Sequence, residues 1–267
     1  MIKDISLGQY LPGSSVVHKL DPRTKILISL LYIIVLFSVK SVGGYIICTL
    51  FPIVCLVIAK IPLKMIVKSI KPLLFFVVFT AIINLFMTKG EIIFSLGFIK
   101  ITKEGVVLTV KMALRLVLLV TGTSILTYTT SPIVLTDGIE KLLAPLSKIG
   151  VPSHEIAMMM TIALRFIPTI IDETDKIMKA QSARGSDFET GNLIRRAKAL
   201  VPILVPLFIS AFRRADDLAV AMECRCYHGG KNRTKLKTIK MTGADFWAIT
   251  FSLIVFAIAL VWGRFYA

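Results

Sequence analysis

The sequence predicts an all-α, polytopic membrane protein with about five transmembrane helices and a cytoplasmic domain of long amphipathic helices. Two observations carry the membrane assignment. Hydrophobic residues make up 55% of the 267 positions and the mean hydropathy is +0.80, more than a soluble core of this size needs. The apolar residues also come in blocks separated by basic clusters rather than spread along the chain. A third observation, two helical-period stripes in a basic segment, predicts the amphipathic part.

The first block runs from Lys25 to Val39, and Asp21-Pro22 before it suits a helix cap and first turn, since proline needs no intrahelical donor there. Gly43 and Gly44 are expected to close a short turn before a second block, Tyr45 to Ala59. A third block runs from Pro72 to Met87, a fourth from Val106 to Tyr128 and a fifth from Phe246 to Trp262. Their uncharged runs fall short of the roughly 20 residues of a span, but flanking lysines can snorkel to the interface and lengthen each helix. No small-residue cleavage site follows the first block, so it reads as a span and not a signal peptide. The chain therefore divides into residues 1–130 with four spans, a cytoplasmic segment 131–243, and a last span within 244–267.

Lysines and arginines set the orientation. Lys19, Arg23 and Lys25 precede the first span, and Lys60, Lys64, Lys68 and Lys71 fill the second loop, while the first loop offers only Lys40. The positive-inside rule then places the N-terminus and the second loop in the cytoplasm, with the C-terminus outside. The third loop dissents weakly, with Lys89, Lys100 and Lys103 against Glu91 and Glu104. Alternation makes the stretch from Thr129 to Thr242 cytoplasmic. It carries Arg195, Arg196, Lys198, Arg213, Arg214, Lys231, Arg233, Lys235, Lys237 and Lys240. The net charge of +16 comes without an aromatic-rich basic platform or a DNA-reading motif, which argues against nucleic acid. Lysines beside an anionic leaflet account for much of it, and the excess on the cytoplasmic stretch suits an acidic protein partner.

From Ser153 to Arg184 the positions Ile156, Met160, Ala163, Ile167, Ile170 and Ile177 recur at helical spacing, with Glu155, Asp172, Lys176 and Lys179 on other faces. A second stripe from Leu193 to Met222 passes through Ala197, Leu200, Leu204, Phe208, Ala211, Ala215 and Leu218. Pro202 and Pro206 interrupt it, so a kink or two helices are expected. Its oily centre, Ala199 to Phe212, is short and bounded by arginines, which suits a helix along the membrane face or packed on other helices.

Each stripe ends in a small residue followed by arginine: Ala183-Arg184-Gly185 and Cys224-Arg225-Cys226. Taken singly, each arginine is a good helix end, because a cation in the last turn favours the dipole and Gly185 supplies a left-handed cap. A guanidinium projecting from a helix tip can also grip a partner's carboxylate bidentately, and a small neighbour permits close approach. Two such ends in one segment raise the docking reading.

Other chemistry is sparse. No G-x-x-x-x-G-K-S/T sequence occurs, so a phosphate-cradling loop of that type is missing and nucleotide must be handled elsewhere. Asp172-Glu173-Thr174-Asp175 and Asp216-Asp217 could hold magnesium for an intramembrane prenyl-diphosphate enzyme, but they lack repeated aspartate spacing. Lys176, Lys179, Arg213 and Arg214 balance them as solvated helix faces. Cys224, Cys226 and His228 do not complete a metal-ligand set, Cys48 and Cys55 lie in a span, and all four thiols are expected free. Lys111 and Arg115, one turn apart near the start of the fourth span, would be pathway residues in a self-sufficient secondary transporter. No internal hydropathy repeat supports that alternative, and snorkelling or contact with the amphipathic helices is the preferred reading. The run Met158-Met159-Met160 suits adaptable packing.

Several ordered motifs together resemble one family. Tyr10-Leu11-Pro12-Gly13-Ser14 and His18-Lys19-Leu20-Asp21-Pro22-Arg23-Thr24-Lys25 are similar to the N-terminal signature of the transmembrane T component of energy-coupling factor transporters. Pro145-Leu146, Gly150-Val151-Pro152, Leu164-Arg165-Phe166-Ile167-Pro168 and Ala180-Gln181-Ser182-Ala183-Arg184-Gly185 match as well. So do Met222-Glu223-Cys224-Arg225-Cys226-Tyr227, Gly229-Gly230 and Arg233-Thr234. The resemblance implies a non-catalytic scaffold with a membrane domain and a cytoplasmic coupling domain. Ala183, Arg184, Gly185, Cys224, Arg225 and Cys226 would dock into grooves of two ATP-binding-cassette subunits, which bind ATP and magnesium. The chain itself would bind no cofactor or metal. The coupling helices would hold a membrane-embedded S component that captures a vitamin or a transition-metal ion, and ATP hydrolysis would reorient that component. Where the family pattern has glycine, Cys226 lacks its ease in the left-handed region, so the second helix is expected to run on to Gly229.

Overall fold

The structure is a computed structural model that describes residues 10–265 apart from 40, 89, 97–98, 187, 189–191 and 231–239. Lys40, Lys89, Lys231, Arg233, Thr234, Lys235 and Lys237 lie outside the described residues, as do the side chains of Lys100, Arg195, Arg196 and Ala197. Ten α-helices are described: α1 (Val16–Lys19), α2 (Pro22–Ser38), α3 (Val42–Ala59), α4 (Leu63–Ile70), α5 (Leu74–Met87), α6 (Lys103–Thr129), α7 (Pro132–Leu143), α8 (Ser153–Ala183), α9 (Leu193–Glu223) and α10 (Gly243–Phe265). An antiparallel hairpin of β1 (Ile92–Leu96) and β2 (Ile99–Thr102) joins α5 to α6, a small addition to an otherwise helical chain.

Among the described residues, five segments are long and apolar enough to cross a membrane: Val42–Ala59, Leu63–Met87, Lys103–Thr129, Ser153–Ala183 and Gly243–Trp262. The number matches the sequence expectation, but the membership differs. The first apolar block became α2, whose 17 residues rise only about 25 Å, while α8 qualifies through its length.

The chain divides into two compact units, Gly8–Gly138 with Ile239–Ala267, and Ile139–Thr238. In the first, α2 is the central strut. Tyr32, Val35, Leu36 and Val39 pack with Tyr45 and Cys48 of α3, Leu118 of α6, and Phe256 and Ala259 of α10. The buried Tyr32 hydroxyl donates to the Cys48 carbonyl at 3.1 Å, so its polar atom is satisfied inside the core. Gly43 and Gly44 do not close a turn as expected; they lie in the first turn of α3. A Cβ at Gly44 would stand 2.6 Å from the Val39 side chain and 3.0 Å from the Ala259 carbonyl oxygen, so glycine is what allows α3 to meet α10.

The N-terminal signature wraps a buried polar clamp. Asp21 caps α2 by accepting from the Arg23 N–H at 2.9 Å, as its position before Pro22 suggests. The Asp21 N–H donates to Asp245 Oδ1 at 2.7 Å, and Asp245 Oδ2 accepts from the Thr242 N–H and hydroxyl at 2.7 and 2.8 Å. Lys25 Nζ donates to the His18 carbonyl at 3.0 Å, the Thr129 carbonyl at 3.0 Å and the Thr130 hydroxyl at 3.2 Å. Asp21, Lys25 and Asp245 are all buried, so the clamp joins the start of α2, the end of α6 and the start of α10 where water cannot compete.

Arg115 is held by partners within the first unit. Its guanidinium donates to the Tyr45 hydroxyl at 2.7 Å and stacks 5.5 Å from the Phe37 ring centroid, tying α6 to the connection between α2 and α3.

Candidate docking site

The second unit is built on α8 and α9, each of 31 residues and so on the order of 46 Å long. They run antiparallel. Glu173 accepts from the Ser210 hydroxyl and from Arg214 Nη2, the latter at 2.8 Å, while Gln181, nearer the end of α8, reaches Pro202, nearer the start of α9. The Gln181 contact has a local cause. Pro206 has no N–H, so the Pro202 carbonyl loses its intrahelical partner, and Gln181 Nε2 donates to it at 3.4 Å. With that carbonyl engaged, α9 continues unbroken through both prolines, which rules out the two-helix alternative.

Both helices end in the same cap. After α8, the Ser186 N–H donates to the Gln181 carbonyl and the Gly185 N–H to the Ser182 carbonyl, each at 3.0 Å, with Gly185 left-handed at φ +87°. After α9, the Tyr227 N–H donates to the Met222 carbonyl at 3.0 Å and the Cys226 N–H to the Glu223 carbonyl at 2.9 Å, with Cys226 at φ +54°. These are the paired bonds of a Schellman motif, and they give Arg184 and Arg225 equivalent positions just before the left-handed residue. The expected extension to Gly229 does not occur. Cys226 takes the glycine role because two otherwise orphaned carbonyls are satisfied by the reversal.

Ala183, Arg184, Gly185, Cys224, Arg225 and Cys226 are all exposed. Among the described residues neither arginine forms an ion pair or hydrogen bond through its side chain. The structure does not bring the two trios together. They stand toward opposite ends of the antiparallel pair, separated by on the order of 30–40 Å at 1.5 Å per residue.

The remaining candidates resolve into structural roles. Glu173 and Asp175 of the first acidic cluster are engaged, the latter with Lys179 at 2.8 Å. No group of three or more His, Cys, Asp and Glu side chains placed to hold a metal occurs among the described residues. All four cysteines are free thiols. His154 Nδ1 lies 3.0 Å from Glu140 Oε1, and a Cβ at Gly230 would meet the His154 ring at 2.6 Å, so Gly230 lets the segment after α9 close over the start of α8. One wall residue escaped the sequence reading except as a motif letter. Arg165 lines the same groove as Arg225, between the first half of α8 and the end of α9.

A multi-pass helical chain that displays unpaired cations at the ends of long amphipathic helices has the build of a membrane subunit in a larger transporter. Comparison with known proteins specifies which. Residues 13–236 match the CbiQ family, described as cobalt transport protein. The chain is 58% identical to the energy-coupling factor transporter transmembrane protein EcfT of Clostridium kluyveri, over 99% of this chain and 100% of that one. It is 58% identical to the protein so named in Ruminiclostridium cellulolyticum, over 92% of each, and 47% identical to that of Bacillus subtilis, over 99% and 100%. The chain belongs to this family of transmembrane components of energy-coupling factor transporters.

Proposed function

We propose that this chain is the scaffold on which two ATP-hydrolysing cassette subunits and a membrane-embedded S component assemble for uptake of a vitamin or a transition-metal ion. ATP and magnesium are bound by the cassettes. Residues 1–130 and 244–267 form the membrane domain, residues 131–243 the cytoplasmic coupling domain, and the C-terminus lies outside. The observation that supports this reading is the repeated cap: two exposed, unpaired arginines in equivalent bonding frames at the far ends of one antiparallel helix pair. Ala183 and Cys224 are small enough for a partner to close over each guanidinium, and a carboxylate there would gain a bidentate, charge-assisted contact. Two ends would engage two subunits, and hydrolysis that moves one against the other would tilt α8 against α9 and reorient whatever rests on them.

The test is Arg184→Glu combined with Arg225→Glu in the assembled transporter. Cassette co-purification and ATP-driven uptake should fall to background while the variant chain still inserts in the membrane. Normal uptake by the double variant would refute the docking assignment. Each single variant should be milder, because one remaining contact keeps the second at high effective concentration.

A further inference from the structure

The helices of the first unit leave a gap that their side chains do not fill. Between α2, α3, α6 and α10 lies a groove of about 360 Å³, with Leu50, Val54 and Ile58 exposed along its α3 side. It follows α3 from Ile47 to Ile58, on the order of 16 Å at 1.5 Å per residue, and continues onto Val16, Val17 and Leu20 at α1. The polar side chains on its wall are already committed. Ser29 and Ser252 donate to the Ile26 and Ala248 carbonyls at 2.9 and 2.7 Å, and Thr129 to the Ile125 carbonyl at 2.8 Å. Lys25 is held in the clamp. Pro52 frees the Cys48 carbonyl, and the Tyr32 hydroxyl takes it up. Cys55 is a free thiol that packs as a small apolar group. A groove lined in this way gives water no partners and suits an apolar guest.

Length, width and charge identify the guest. The length matches one leaflet, half of a hydrocarbon core about 30 Å thick. Volume over length leaves a section on the order of 20 Å², suited to one hydrocarbon chain and well below the roughly 80 Å² of an α-helix about 10 Å across. Val17 packs with Leu56 and Ala59, so α1 meets the end of α3 that carries Lys60. Lys19 and Lys60 are exposed there, and neither forms an ion pair among the described residues. Two ammonium groups at the mouth of an apolar groove complement a phosphate joined to an acyl chain.

We infer that this groove holds one acyl chain of an anionic phospholipid, drawn from the leaflet on the side of the basic second loop, with its phosphate beside Lys19 and Lys60. Nothing in this site depends on the amphipathic helices or on the subunits they would carry.

The test uses the full chain, reconstituted into vesicles of phosphatidylglycerol and phosphatidylcholine in equal parts. Released gently for native mass spectrometry, each chain should retain one lipid, with phosphatidylglycerol favoured about tenfold, as two lysines near a headgroup provide. Val54→Trp fills the groove from an exposed position, so the chain should stay folded, which gel filtration checks. Lipid retention should then fall about tenfold, the effect of excluding two methylenes. Lys19→Gln with Lys60→Gln should keep the retained lipid and abolish the preference. Added phosphatidylglycerol should raise the thermal midpoint of the delipidated parent and leave that of Val54→Trp unmoved. In the assembled transporter, a photo-crosslinking residue at Leu50 should capture phospholipid. Unchanged retention by Val54→Trp, or capture of a protein partner at Leu50, would overturn the site. A preference for phosphatidylglycerol that survives the double lysine variant would overturn the headgroup contact.

Discussion

Arg184 and Arg225 occupy equivalent cap positions, yet one cap turns on glycine and the other on cysteine. A Cβ at Gly185 would meet no heavy atom within 4 Å, so the only demand there is the left-handed backbone. Gly185→Ala should therefore cost about 1 kcal/mol, and Cys226→Gly should gain a little less, because glycine returns some entropy to the unfolded chain. Thermal unfolding of the purified chain in detergent checks both signs; a lower midpoint for Cys226→Gly would mean that the thiol makes a stabilising contact. The larger effect belongs to Asp245. Replacing it with alanine leaves the Asp21 N–H without its acceptor and removes a carboxylate from beside buried Lys25, which should cost about 3–5 kcal/mol. Loss of the folded chain from membranes on expression would register it. At this scale the sequence was half legible. Asp21 could be read as a cap because its acceptor role is spent two residues away, whereas the Lys25 acceptors at Thr129 and Thr130 lie more than 100 positions along the chain and no local pattern points to them.

At the scale of elements, α8 and α9 are tied by side chains that could not be paired from sequence. Periodicity revealed both helices and their apolar stripes, but whether they ran side by side depended on Glu173 finding Ser210 and Arg214. The prolines misled for the same reason: Pro202 and Pro206 read as breakers until Gln181 is seen to take up the carbonyl that Pro206 frees. Gly43 and Gly44 read as a turn because glycine serves both turns and close helix approach, and only the position of α10 decides between them. The Glu173 tie is partly exposed, with 25% of its side-chain surface and 38% of that of Arg214 accessible, so its contribution is modest. Glu173→Ala should cost about 1 kcal/mol in stability after allowing for that screening. If α8 and α9 move as a pair during transport, the same variant should uncouple ATP hydrolysis from uptake more than it lowers the unfolding midpoint. A stability loss with unchanged coupling would show the tie to be structural only.

For the whole molecule, the division of labour decides what the chain can do alone. It has no phosphate-cradling G-x-x-x-x-G-K-S/T loop, and the exposed Arg184 and Arg225 sit at helix ends in the second unit. The most buried cation of the first unit among the described residues, Lys25, has its three protons directed to protein acceptors, and Arg115 is committed to Tyr45 and the ring of Phe37. Neither is free to ligate a passing substrate. A self-sufficient secondary transporter would need such a group, since selective passage requires polar partners for the substrate within the membrane. The chain reconstituted by itself in vesicles should therefore take up nothing above leak, under an imposed ion gradient or with ATP. Uptake should appear only when ATP, both cassette subunits and an S component are present together, and withdrawing any one of them should return it to leak. Gradient-driven, saturable uptake by the chain alone would reverse the assignment of roles and make Lys25 and Arg115, rather than Arg184 and Arg225, the residues to pursue.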